Sequence, residues 1–138
     1  MNAILLDTHV LVWLFDGSDR ISTHVLSLIR EACAEDRVYI SAITPWEIAM
    51  LSAKSRITLK REISEWMDEV FDNYGISLAP LLPEISIDST RLPQPVHGDP
   101  SDRIIIATAR HLNAVLLTAD KAILHYAAQG HLKAMKAD

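Results

Sequence analysis

The chain has 138 residues, 49% of them hydrophobic, which is enough to bury one domain's core and too apolar for disorder. Its formal net charge of -5 counts against a protein that grips nucleic acid through bulk positive charge, although a bound cation can supply such charge locally. The single cysteine, Cys33, excludes an internal disulfide and suits a reducing compartment; with no thiol partner or metal-type spacing it reads as core filler.

The opening "MNAILLDTHVLVWLF" is apolar but interrupted by Asp7, Thr8 and His9. No basic residues precede it, no small-residue cleavage site follows, and it is too short to span a bilayer. The expectation is a soluble cytoplasmic protein with no membrane contact. Residues 3–6 predict a buried strand ending at Asp7, and 8–15 a buried helix ending at Gly17. Ser22 caps a helix to about Glu35, and 38–40 form a second strand. Thr44, Pro45 and Glu47 then spell a helix start: cap, proline at the first helical position, and acid at the third, the grammar of a capping box.

Ile63, Trp66, Met67, Val70, Phe71 and Tyr74 recur at helical spacing over 61–75, with Gly75 as the stop. Residues 76–81 predict a strand, Pro83 opens a short helix to about Thr90, and 91–100 form a loop. Residues 101–112 predict a helix despite three consecutive isoleucines, because an Asp-Pro start precedes them. A strand at 114–117, a helix from Asp120 to about Ala128, and an edge strand near 131–135 complete the chain. Strands alternating with helices predict an α/β fold: one domain over 1–138, with a central parallel sheet of four to five strands and helices on both faces.

Acids fall just after strands or at helix starts: Asp7, Glu47, Asp99 with Asp102, and Asp120. Thr44-Pro-Trp-Glu47 and Asp99-Pro-Ser-Asp102 share one pattern. Taken singly, each acid is explained by helix capping. Topology alters the weighing, because parallel strands deliver their carboxyl ends to one edge, where ligands bind. Carboxylates gathered there repel unless a cation neutralises them, and all-oxygen sites suit Mg²⁺ or Mn²⁺.

"ILLDTHVLVWLF", "SAITPWEIAML", "HGDPSDRIIIATA" and "LLTADKAIL", in this order over nearly the whole chain, resemble the blocks of PIN-domain ribonucleases, and among them VapC toxins of toxin–antitoxin pairs. The resemblance implies a PIN-like three-layer fold and Mg²⁺-dependent endonucleolytic cleavage of RNA that leaves a 5′-phosphate and a 3′-hydroxyl. It implies that Asp7, Glu47, Asp102 and Asp120 are the catalytic, metal-holding acids. Asp7 and Asp102 would be central, with Glu47 and Asp120 holding a second metal or orienting water. Thr118 matches a family Ser/Thr position. Asp99 competes with Asp102 for the metal and is read as the N-cap; Asp99, Thr118 and Thr8 are auxiliary candidates. A VapB-like antitoxin and a homodimer are the implied partners.

Lys54, Arg56 and Lys60, with Arg61, form a basic stretch that reads as a solvated loop or an RNA-backbone contact. Arg103, Arg110 and Lys121 flank the acidic blocks and could contact RNA in the same way; for Arg103 an ion pair with a neighbouring carboxylate is the alternative. His9 and His97 lack zinc spacing and read as hydrogen-bonding structural residues. Trp13, Trp46 and Met50 read as core, with partial exposure of Trp46 suiting a partner groove. Two other functions stay open. "LLDTH" resembles haloacid-dehalogenase-like phosphatases, but His9 stands where those enzymes carry a second acid. A non-catalytic PIN-fold binding module is the other.

Overall fold

The computed structural model describes residues 2–96 and 98–138; His97 lies outside the described residues. Its strands are β1 (Ile4–Leu6), β2 (Val38–Ser41), β3 (Ile76–Ala79), β4 (Val115–Thr118) and β5 (Lys133–Lys136). The helices are α1 (Thr8–Asp16), α2 (Thr23–Ala34), α3 (Thr44–Ala53), α4 (Ile63–Asn73), α5 (Pro83–Ser89), α6 (Pro100–Leu112) and α7 (Lys121–Ala128). The strands form one sheet in the order β3-β2-β1-β4-β5, and every neighbouring pair is parallel.

The period-2 alternation of side chains splits the core between the two faces. Ile4 and Leu6 of β1, Val38 and Ile40 of β2, and Ile76 of β3 pack on one face with Val10, Ile29, Ile48 and Val70 from α1–α4. Leu5 and Leu116 pack on the other with Ile85, Ile105, Ile106 and Ile123 from α5–α7. A full helical layer thus covers each side of the sheet. The three-isoleucine run is helical because its flanking residues keep helical period: Ile105 and Ile106 are fully buried while Ile104 is only half-buried.

The chain leaves β1 towards β2 and β3 with its helices on one face. It then crosses to β4 and β5 with its helices on the other, as right-handed crossovers require. The direction reverses between the neighbouring strands β1 and β4. Diverging connections leave a crevice beyond the carboxyl ends of those strands. Asp7 lies at the end of β1, and Thr118 and Asp120 at the end of β4.

The boundaries follow local chemistry. Gly17 ends α1 in the left-handed region (φ 65) and donates its N–H to the Trp13 carbonyl, a conformation glycine adopts without a Cβ penalty. Ser22 caps α2 by accepting the Val25 N–H. Gly75 joins α4 to β3 at φ 66, and a Cβ there would fall 2.7 Å from the Cys33 main-chain oxygen. Among the described residues, no helix is long and apolar enough to cross a membrane.

A carboxylate-lined cleft at the switch point

Asp7 is the N-cap of α1 and is almost fully buried. Its Oδ1 accepts the Thr8 N–H at 2.9 Å, and its Oδ2 accepts the Thr118 hydroxyl at 2.6 Å. Thr118 in turn accepts the Asp120 N–H at 3.0 Å, so its one proton is committed to Asp7. One threonine therefore ties the ends of β1 and β4 together. Asp120 caps α7 through the Ile123 N–H at 3.0 Å.

Glu47 departs from the expected capping box. Thr44 is not the cap: α3 begins at Thr44, its N-cap is Ile43 in helical conformation, and no side chain caps it. Glu47 Oε1 instead accepts the Thr8 hydroxyl at 2.6 Å. Thr44 Oγ1 lies 3.1 Å from Thr8 Oγ1. Because Thr8 has given its proton to Glu47, Thr44 is the donor in that second bond. The buried relay Thr44 to Thr8 to Glu47 turns the carboxylate away from its own helix end and towards Asp7. A capping box would have aimed it back at the main chain.

Of the two acids at the start of α6, Asp99 takes the cap position expected of it. Asp99 caps α6, its Oδ1 accepting the Ser101 N–H at 2.9 Å and the Asp102 N–H at 3.3 Å. Asp102, one turn in, faces the other acids. Burial, then the charges of Asp7, Asp99, Asp120 and Glu47, push its carboxyl up to about 8. Burial also raises Asp7, against the lowering effect of its bonds to Thr118 and Thr8. Burial raises Glu47, and the Asp7 and Asp99 charges add to that while the Thr8 bond opposes it.

These five carboxylates, from four separate segments, line one cleft of about 530 Å³. Among the described residues, no three carboxylate, imidazole or thiolate groups stand ready as a cation cage. Asp7, Glu47, Asp99 and Asp120 each accept a hydrogen bond from a nearby donor. The donor chemistry nonetheless fits a hard divalent cation, since five carboxylates line the cleft against the two arginines Arg20 and Arg56, and the neighbouring acids raise both Glu47 and Asp102. Asp7, Asp102, Glu47 and Asp120 are the residues that could hold it. A larger cavity, of about 740 Å³, is lined by Leu14, Leu26, Ile29 and Tyr74 with no carboxylate. It shares Trp13 with the acidic cleft, and the charged side chain lining it is Arg30.

The PIN domain model matches residues 4–129. The chain belongs to the PIN-domain family. A curated relative of this PIN domain, Ribonuclease VapC22 of Mycobacterium tuberculosis, is 30% identical over 121 residues, covering 88% of this chain and 89% of the relative. Among solved structures, a DNA-bound VapBC from Salmonella typhimurium superposes with a TM-score of 0.68 at 15% identity, covering the whole of both chains. FitAcB from Neisseria gonorrhoeae gives 0.65 at 19% identity, covering 97% of each chain. At these identities the two solved structures speak for the fold alone.

The remaining candidates scatter. Of Lys54, Arg56, Lys60 and Arg103, only Arg56 lines the cleft of this PIN domain. Lys54 sits exposed at the end of α3. Lys60 and Arg61 border a separate small pocket, where Arg61 pairs with Glu69 at 2.7 Å. Arg103 follows Asp102 on α6 and is turned about 100° from it. Arg110 is bound to Asp88 and to the His131 carbonyl on the opposite face. Trp46 is 55% exposed and so is no core residue. Trp13 and Met50 are half-buried and line the cleft instead. His9 is exposed at the cleft. Arg20, which no motif marks, also reaches the cleft, because the turn after Gly17 folds it back over Trp13.

Proposed function

We propose that this PIN domain is a divalent-metal-dependent endoribonuclease acting as the toxin of a toxin–antitoxin pair, with residues 1–138 working as one nuclease unit in the cytoplasm. The observation that carries this reading is the convergence of five carboxylates from four segments on one cleft, where burial and the other four acids raise the Asp102 carboxyl. Asp7, Asp99 and Asp120 also cap helices, but capping does not require them in one cleft, and that excess of negative charge suits a cation. The relative named as a ribonuclease and the toxin–antitoxin complexes that share the fold support the same class. A VapB-like antitoxin, an RNA substrate and a second copy of the chain are the partners.

Asp7 and Asp102 are the central ligands of Mg²⁺ or Mn²⁺, with Glu47 and Asp120 holding a second ion or orienting water. When bound, the cation supplies positive charge to the phosphodiester and acidifies water. Thr118 and the Thr8 N–H fix the Asp7 carboxylate so that its orientation is set before substrate arrives. Glu47, held by the Thr8 hydroxyl, accepts the proton of the attacking water as the new P–O bond forms and the P–O3′ bond breaks. The leaving 3′ oxygen takes up a proton from solvent. Asp99 keeps α6, and therefore Asp102, in place.

The phosphatase alternative is disfavoured because His9 stands exposed where its second acid belongs. The test is cleavage of RNA by purified protein in Mg²⁺. Asp7→Asn and Asp102→Asn are each expected to lose about a thousandfold in rate, about 4 kcal/mol of barrier, and a chelator is expected to stop the parent. Parental rates in both variants would overturn the assignment.

A further inference from the structure

We infer that Arg20, seated on the indole of Trp13, is a positioning residue that holds an RNA phosphate beside the one being cut. This rests on the ribonuclease reading and goes beyond its acids. The guanidinium carbon of Arg20 lies 4.3 Å from the Trp13 ring centroid, and both residues line the carboxylate cleft. At that distance the guanidinium charge sits over the indole face, an attraction that holds the side chain at the cleft wall.

Arg20 is exposed and makes no ion pair among the described residues, although five carboxylates share its cleft. A flexible arginine beside so many acids would ordinarily swing onto one of them. Resting on Trp13 keeps it at the wall. The charge pattern says what it is kept for. A cation on the cleft floor attracts the scissile phosphate, but the neighbouring phosphates of the strand meet an acidic protein. The cationic side chains lining this cleft are Arg20 and Arg56. A planar guanidinium can donate to two phosphate oxygens at once.

The experiment measures binding of a short random-sequence oligoribonucleotide pool in an Asp7→Asn background, where the strand stays uncut, alongside steady-state cleavage in the parent. Arg20→Ala is expected to weaken binding about tenfold. It should also flatten the dependence of log Kd on log salt by about 0.7, the share of one phosphate on a single strand. In the cutting protein it should raise KM by a similar factor and leave kcat within about twofold. Arg20→Lys keeps the charge without the planar guanidinium and should recover part of the binding. Arg91→Ala, on an exposed arginine that lines a different pocket and not the cleft, should change nothing. The inference is overturned if Arg20→Ala keeps the parental Kd and salt slope, if it lowers kcat alone, or if Arg91→Ala weakens binding as much. A parent that cuts no RNA in Mg²⁺ would instead overturn the ribonuclease reading itself.

Discussion

Glu47 stands three residues after Thr44 with a proline between them, and its sequence context is that of a cap. The side chain goes elsewhere because Thr8, arriving from the end of β1, offers a hydroxyl donor at 2.6 Å, and Thr44 supports Thr8 rather than α3. Hydrogen bonds to a charged group are worth about 1.5–3 kcal/mol. Thr8→Val, which keeps the shape and removes the hydroxyl, should therefore lower kcat for RNA cleavage by about tenfold or more. KM should move little, because Thr8 is buried and its hydroxyl is committed to Glu47. Unchanged kcat would show that the tether has no part in catalysis.

Asp102 makes a second prediction at this scale. Its carboxyl is raised in the folded protein to about 8 and has its ordinary value in the unfolded chain. Between those two values the folded state binds more protons than the unfolded one. Stability without metal is therefore highest at acid pH and falls as pH rises from about 4 to about 8. Urea midpoints in chelator at the two ends of that window should show the fall, and Mg²⁺ or Asp102→Asn should reduce it. A stability that rises with pH across the window would contradict the assignment.

Among the elements, α6 separates structure from chemistry within four residues. Asp99 accepts two main-chain N–H groups, so Asp99→Ala should cost about 1 kcal/mol of stability and Asp99→Asn should restore most of it. Asp102→Ala should abolish cleavage without that cost. Equal stability of Asp99→Ala and the parent in a urea melt would show that the cap is unimportant. The α4–β3 junction is a purely structural counterpart. Gly75 combines a positive φ with a Cβ position 2.7 Å from the Cys33 carbonyl oxygen, so Gly75→Ala should cost about 2 kcal/mol, with no change in kcat for the folded fraction.

The order of strands and helices was legible in the sequence because each element carries its own signals: apolar runs of strand length, Ser22 and Asp120 as caps, Gly17 and Gly75 as stops. The gathering of the acids was legible too, since it follows from parallel topology once the strands are placed. Side-chain direction was not. Capping grammar reads the same whether Glu47 turns back to its helix or out to Thr8. The basic stretch 54–61 has charge in abundance, yet only Arg56 faces the cleft. Arg20 carries no motif and reaches the cleft only through a turn and a stack on Trp13.

At the scale of the whole molecule, a chain with a net charge of -5 concentrates negative charge at the crevice between β1 and β4, the one place where its topology opens the sheet edge. Acidic surfaces repel RNA, so the account stands on that charge being answered by a divalent cation. Titration with Mn²⁺, followed by the loss of its free-ion electron paramagnetic resonance signal, measures this directly. The account predicts saturable Mn²⁺ binding that Mg²⁺ displaces and that Asp7→Asn and Asp102→Asn each weaken at least tenfold, while Arg91→Ala leaves it unchanged. Binding of equal strength in all of these variants, or no saturable binding to the parent, would contradict it.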